Sequence, residues 1–420
     1  MAAPSVNTVD TLNGYFKESY ADHIKDLVPE GVKLLKMIDF NSADKATGNL
    51  YHVPLDLGLE HGVTYGGDGG SAFLLNAAIA SASRDAQVKG CEMVLVSAIS
   101  VGAASRSASS KNAFEQITKR KVQTMLKSIH IRLESQLLYG QVGIARVGAV
   151  AANVITIATS EWAPGVWSGA TNMAIEIRSQ AGTLRGSCTV EKVHMDTKSI
   201  TVDLVPAGVT GNVDSENLAS DIIWYKGAYN KEFAGLHKMI TNTGTIFNVD
   251  ASDFELYKGN TIEVGTSESD KAFISFDAIE KAIARGMEKG LDEENVVAMV
   301  NPKHWNQLLS DINAKRSYDQ SYSDKEAKQG HKSIKFFGQA GEIEIVPSLF
   351  VKEGFAYVFP PKSLERIGSS EVTFDMPGFE GKFFRLMDSA NGYELRLYTD
   401  QSLFSSEIGK MSLLKYLKAE

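Results

Sequence analysis

Residues 51–70 read YHVPLDLGLEHGVTYGGDGG, and the reading of this stretch decides the fold. It opens as a strand candidate over 51–58 and then dissolves into Gly66, Gly67, Gly69 and Gly70 around Asp68. Glycine tolerates backbone angles that other residues resist. A second extended run, DAQVKGCEMVLVSAISV, occupies 85–101. The two runs together predict an elongated, irregular hairpin. The segment between them, SAFLLNAAIASAS at 71–83, is more apolar than an exposed loop needs. A surface of that kind meets a partner. The expectation is an arm made to lie on another copy of the same chain.

Outward from the arm, the next stretch is KNAFEQITKRKVQTMLKSIHIRLESQLLYG, 111–140. Phe114, Ile117, Met125, Ile129, Leu133 and Leu137 recur at helical spacing, and Gly140 is a stop signal. A helix over 112–139 would be about 42 Å long at 1.5 Å per residue. It lacks a sustained heptad repeat, so it reads as a structural spar, not a coiled coil. On the other side, residues 1–50 read as a polar arm with short helices. Within it, GVKLLKMIDF (31–40) is an amphipathic patch that should dock on a body.

Residues 143–228 change character. The runs VITIAT, AIEIRS, GSCTVEKV, SITVDLV and DIIWYKG alternate with turns. In SITVDLV, Ile200, Val202 and Leu204 alternate with Ser199, Thr201 and Asp203, the pattern of a half-buried strand. Five such strands predict a small barrel or sandwich inserted into the chain. From about residue 270 the pattern turns to α/β. Asp277 and Glu280 have capping-box spacing, Gly290 can end that helix, and VVAMV is a buried strand. Asn301 caps a second helix with Pro302 in its first turn and an apolar stripe of Trp305, Leu308, Leu309 and Ile312. KRSYDQSYSDKEAKQGHK reads as a loop, and IKFFG, GEIEIVP and FAYVFP as sheet strands. KFFRLMDSANGYELRLYTDQSLF reads as a long two-stranded element turning at Asn391-Gly392.

Bulk composition excludes several classes. The chain has 420 residues, 43% of them hydrophobic and 22% charged, and a net charge of −8. That is an ordinary globular composition, and the charge argues against a surface that wraps nucleic acid. No apolar run is long enough to span a membrane, and the start lacks the pattern of a signal peptide. The two cysteines, Cys91 and Cys188, offer neither zinc spacing nor a disulfide framework and read as free thiols in a reducing compartment.

Nor does any catalytic constellation hold up. There is no G-x-S-x-G and no H-E-x-x-H. GGDGG lacks the Lys-Ser/Thr pair of a phosphate loop. His52 and His61 share the arm without ligand spacing, and His304 in the first turn of a helix reads as a satisfied or exposed histidine. Glu342 and Glu344 share a strand face that reads as solvated. No metal, cofactor or catalytic residue is expected. The run Lys119-Arg120-Lys121 on the long helix is either a wet face or the acceptor of Glu60, Asp68 or Asp85 from a neighbouring arm. Exposed pairs of that kind are weak and sensitive to salt. With Tyr65, Gly66, Gly67, Phe73, Leu74 and Leu75 at the tip, these residues make up the expected subunit interface.

The order of these parts resembles the major capsid protein of tailed bacteriophages, the Hong Kong 97 fold. GNLYHVPLDLGLEHGVTYGG looks like the entry to that family's extended E-loop, and NAFEQITKRKVQTMLKSIHIRLESQLLYG like its P-domain spine helix. KEFAGLHKMITNTGTIFNVD looks like the lead into its A-domain; VVAMVNPKHWNQLLSDI and GEIEIVPSLFVKEGFAYVFPPKSLERI look like segments of that domain. The resemblance implies an α+β chain with an N-terminal arm (1–50), an E-loop hairpin (51–101), a P-domain spine helix (102–142), an A-domain (229–370) and a C-terminal β-element returning to the P-domain (371–420). The 143–228 barrel stands as an insertion domain. It implies hexamers and pentamers of an icosahedral head around double-stranded DNA, with scaffolding, portal and decoration proteins as partners. It places the chain in the virion, after assembly in the host bacterial cytoplasm. No long helical propeptide precedes the arm, so a fused scaffolding segment is expected to be absent or already cut off, with a separate scaffold as partner. Lys89 and Lys111 flank the arm, not its tip, so crosslinking is not expected. Three other readings stay open: an encapsulin-type bacterial compartment shell, a β-rich hydrolase with its site between barrel and α/β domain, and a carbohydrate- or host-binding module on 143–228.

Overall fold

A 29-residue helix, Lys111–Tyr139, is the element against which the other parts of the computed structural model are set. The structure describes residues 31–41, 50–68, 72–100, 111–211, 220–292, 295–310, 334–375, 384–386 and 392–419. Met125, Ile129, Leu133 and Leu137, one turn apart, are all buried on one face of the helix. The side chains of Phe114 and Ile117 lie outside the described residues. Gly140 ends the helix, its N–H still donating to the Gln136 carbonyl at 2.8 Å.

One side chain in the apolar half of this helix is charged. Glu134 is fully buried, and its carboxylate accepts from the backbone N–H groups of Lys33 (3.0 Å), Leu34 (2.8 Å) and Leu35 (2.8 Å). Those groups open the one-turn helix Leu34–Met37, whose first N–H groups have no partner of their own. Burial raises the Glu134 carboxyl above the ordinary glutamate range, and the three N–H donors oppose that rise. The chain then crosses to a sheet, where Phe40–Asn41 pairs in parallel with Arg366 and Ile367. Arg366 Nε donates to the Ile38 carbonyl at 2.9 Å. The amphipathic patch at 31–40 is thus docked through a buried carboxylate as well as through Leu34 and Leu35.

The sheet that receives it is built around Gly392–Phe404. Cys91–Ser100 runs antiparallel along one side of that strand; Glu365–Thr373 and Phe384–Leu386 lie along the other. The expected hairpin between 51–58 and 85–101 is therefore corrected. Among the described residues Tyr51–Asp56 pairs only with Ser83–Val88, and Cys91–Ser100 of the second run belongs to this five-stranded sheet. The break falls at Lys89-Gly90. A Cβ at position 90 would collide with the Asp400 carboxylate, so glycine lets the chain leave the sheet there. The short Phe384–Leu386 partner accounts for the expected C-terminal hairpin; Asn391 of its turn lies outside the described residues.

Residues 145–225 form a closed barrel. In order around it run Ile222–Tyr225, Ala145–Ala151, Val154–Ile157, Ser199–Val202, Leu184–His194 and Ala174–Arg178. The sequence reading had five strands; ARVGAVA supplies the sixth. Its Gly and Ala residues hide a strand pattern that Val147, buried and paired with Ile157, completes. Ile200 and Val202 fill the barrel, but the strand ends there and Leu204 is exposed.

A six-stranded sheet makes the remaining body, in the order Asn260–Glu263, Ser412–Lys415, Phe355–Phe359, Val296–Val300, Gly341–Pro347 and Ile334–Gly338. The strand Ser412–Lys415 thus enters this sheet, whereas Gly392–Phe404 lies in the five-stranded one. Helices Phe276–Met287 and Pro302–Ser310 cover it. The first is capped by Ser275 Oγ, which accepts from Ala278 N at 3.2 Å, in place of the expected Asp277–Glu280 box; Asp277 pairs instead with Lys281. Asn301 caps the second, accepting from Lys303 N at 3.1 Å. Ile312 and the 315–332 loop lie outside the described residues.

Barrel, sheet and long helix meet at Lys352. Its Nζ lies 2.5 Å from Glu161 of the barrel segment and 4.2 Å from the ring of Tyr139 at the helix end. The Tyr139 hydroxyl donates to the Phe350 carbonyl and accepts from Lys352 N. Glu353 receives Lys198 from the barrel and Lys303 from the sheet body.

Removing the Glu134 carboxylate strands three N–H groups. Each buried unpaired donor costs about 1–3 kcal/mol. Glu134→Ala should therefore lower stability by about 3 kcal/mol or more in urea denaturation, and Glu134→Gln, which keeps one acceptor oxygen, by less. Equal midpoints for wild type and Glu134→Ala would contradict the docking role.

Candidate assembly interface

The arm has a held base and an uncovered end. At the base, Leu55, Ala86 and Val88 are buried. The ribbon is fixed to a tight hairpin, Thr245–Ile246 with Val249–Asp250. Its turn residues Phe247 and Asn248 both have positive φ (51° and 66°), the geometry of a two-residue turn matched to strand twist. Gln87 N donates to the Phe247 carbonyl at 2.9 Å, and Asn248 Nδ2 to the Asp85 carbonyl at 3.0 Å.

Beyond Asp56 the ladder lapses. Leu57 and Gly58 donate to the Ala82 carbonyl, and farther out Asn76 bonds Thr64 Oγ1 and the Val63 carbonyl, each at 2.8 Å. No described residue from 57 to 82 is buried. Leu74 is 93% exposed, Tyr65 89%, Leu75 81% and Leu59 79%; Val63, Phe73 and Ile79 are exposed as well. At the tip, Gly67 has φ +66°, and a Cβ on Gly66 would strike the Phe73 ring.

The expected interface residues are therefore distributed as follows. Glu60, Tyr65, Gly66, Gly67, Asp68, Phe73, Leu74 and Leu75 lie together on the exposed arm. Asp85 lies at its base, and its carboxylate is engaged: His52 Nδ1 sits 2.6 Å away across the ribbon. That hydrogen bond draws the Asp85 carboxyl below the ordinary aspartate range. Within the single chain Asp85 is thus paired across its own ribbon. Lys121 is exposed on the long helix; the side chains of Lys119 and Arg120 lie outside the described residues. The sequence reading missed Leu59, Val63 and Ile79 on the arm, and Val94 and Val96 on Cys91–Ser100. The last two alternate with half-buried Met93 and Leu95 in EMVLV, a period of two that marks an outward face.

A cleft of about 900 Å³ opens between Cys91–Ser100, the long helix and the underside of the barrel. On its wall the Arg132 guanidinium lies 3.6 Å above the Tyr225 ring. At its floor Glu232 accepts from Gln141 N at 3.3 Å, and burial pushes its carboxyl up to about 7. His304, considered above for chemistry, is buried with Gln307 Oε1 at 3.1 Å and the Glu353 carbonyl at 2.6 Å. Among the described residues no His/Cys/Asp/Glu group could hold a metal ion, and no helix is long and apolar enough to cross a membrane.

No family model and no curated protein matches the chain. Solved structures do. The chain is similar to one from the cyanophage A-1(L) capsid asymmetric unit, with a TM-score of 0.55 and 10% identity over 98% of this chain and 99% of that one. It is also similar to one from the capsid of a native GTA particle, with a TM-score of 0.53 and 8% identity over 99% and 100%. At such identities the likeness is one of fold, and it runs from end to end.

The raised Glu232 carboxyl gives a pH signature. Its ionisation is disfavoured in the folded chain relative to the unfolded one, so stability falls as pH rises from the ordinary glutamate range through about 7. Glu232→Gln should gain stability over wild type across that window, with the gap levelling off above it, in denaturation series from pH 5 to 8. A gap independent of pH would contradict this assignment.

Proposed function

We propose that the chain is the major capsid protein of a tailed bacteriophage, a shell subunit without enzymatic activity. One observation carries the reading: a chain with the fold of capsid chains along its whole length holds out an arm whose large apolar side chains have no cover of their own. Transferring such side chains from water is worth about 1.5–3 kcal/mol each when complete. A neighbouring copy is the cover that a ring of identical subunits supplies, because each ring contact joins one patch to a different patch on the next copy.

In this reading 51–101 acts as the E-loop, 102–142 carries the spine helix of a P-domain, and 229–370 is the A-domain, joined by the terminal strand Ser412–Lys415. Residues 1–50 serve as the N-terminal arm, and the 143–228 barrel is an insertion. Hexamers and pentamers assemble in the host cytoplasm into an icosahedral virion head around double-stranded DNA. A scaffold, a portal and decoration proteins are its further partners. The excess of acid over base lets packaged DNA slide along the wall instead of adhering.

Electron microscopy and sedimentation of the expressed chain test this. Wild type should form rings or shells. Leu74→Asp with Leu75→Asp should remain unassembled, while its melting temperature stays that of wild type, since side chains so exposed lose no intrachain packing. Assembly of the double variant in wild-type yield would contradict the proposal.

A further inference from the structure

The chain enters the barrel through residues 140–144 and leaves it through 226–235, and hydrogen bonds join the two linkers. Gly235 N donates to the Gly140 carbonyl at 3.0 Å, and a Cβ on either glycine would strike the backbone of the other linker. One step out, Gln141 Nε2 donates to the Glu232 carbonyl at 3.0 Å and Gln141 N to the Glu232 carboxylate at 3.3 Å. Four linker residues have positive φ: Gln141 (64°), Gly143 (92°), Gly227 (79°) and Asn230 (58°). For Gln141 and Asn230 that conformation is disfavoured and persists only where the surroundings impose it. Glu232 lines both the cleft described above and a second one of about 1090 Å³ at the base of the arm. It therefore stands between the two.

The carboxyl at this point is poorly compensated. Glu134 is buried against three N–H donors at 2.8–3.0 Å; among the described residues Glu232 receives one, at 3.3 Å. The charged groups that face it are Arg132 and Lys127 on the long helix, Glu176 on the barrel, Glu92 on the sheet strand, and Lys226 and Lys231 on its own linker. Lys89, Asp400 and the Cys91 thiol lie across the second cleft. Arg132 is taken up by the Tyr225 ring. Glu176 is held by Arg178 and accepts from Gly227 N of the returning linker at 3.1 Å. Burial, aided by the Glu176 charge and opposed by Arg132, pushes the Glu232 carboxyl up to about 7.

We propose that the paired linkers are a proton-operated latch at the root of the barrel, closed while Glu232 holds its proton and opened locally when the group ionises and draws water between the two clefts. The Gly140–Gly235 crossing is the pivot. Lys352–Glu161 and Lys198–Glu353 keep the barrel attached elsewhere, so the opening is confined to 141–143 and 226–232. There, loss of the Gln141 contacts frees the residues held at positive φ. The latch does not depend on the shell reading.

The test is hydrogen exchange of the unassembled full chain, read as protection factors corrected for the intrinsic rate at each pH. From pH 6 to pH 8 protection at 141–143 and 226–232 should fall about tenfold. A carboxyl held near 7 in the closed latch, and in the ordinary glutamate range in the open one, shifts the opening equilibrium by that factor. These amides should stay less protected than Ile222–Tyr225 of the barrel at every pH, the mark of local opening. Glu232→Gln keeps an acceptor oxygen but cannot ionise, and its linker protection should be flat across the range. Equal wild-type protection at pH 6 and pH 8 overturns the proposal, even should the variant not fold. So does a fall that persists in Glu232→Gln, or linker protection that matches Ile222–Tyr225 throughout, since opening is then global.

Discussion

The constraint from which the rest follows is uncovered apolar surface on a thin ribbon. Two strands without a third make a marginal structure in water, and from 57 to 82 even the ladder is nearly gone. A buried layer cannot form in a ribbon one strand pair wide, so Leu59, Tyr65, Phe73, Leu74 and Leu75 face water in the single chain. What the chain provides instead is a firm base. Gln87 and Asn248 tie the ribbon to the Phe247-Asn248 turn, and the Phe247 ring packs edge-on against Phe404 of the central sheet strand. The arm is held where it leaves the body and uncovered where it projects.

That arrangement needs a body whose parts keep their relative positions. Buried polar contacts join them. Glu134 holds the N-terminal turn to the long helix; Lys352 with Glu161 holds the barrel to the six-stranded sheet. Shielding from water draws the Lys352 amine down and the Glu161 charge partly offsets this, while the nearby His237 is pushed down to about 3 and stays neutral. Isolated buried charges cost more than apolar replacements, but breaking such a pair costs several kcal/mol. Lys352–Glu161 and Lys198–Glu353 thus join the barrel to the segment that leads into Phe355–Phe359.

Much of this was legible in the sequence. The long helix announces itself through Met125, Ile129, Leu133 and Leu137, and the barrel through alternation in SITVDLV and AIEIRS. The apolar tip stood out because SAFLLNAAIASAS has no turn chemistry to explain it. Pairing was not legible, because a run such as QVKGCEMVLV carries no mark of its partner; only Asp400, some three hundred residues away, explains why Gly90 divides it. The docking role of Glu134 was hidden too, since a glutamate on a helix reads as solvated until the turn it caps is known. The cleft escaped for the same reason: Val94, Arg132, Val166 and Lys231 come from four distant segments, and no local period links them.

Hydrogen exchange at the backbone amides of 57–82, compared between unassembled chains and purified particles, tests the central claim most directly. The account predicts fast exchange throughout this segment in the single chain and strong protection once particles form, with the 51–56 and 83–88 amides protected in both. Protection of 57–82 in the isolated chain, unchanged on assembly, would mean that the ribbon finds its cover at home, and would contradict the account.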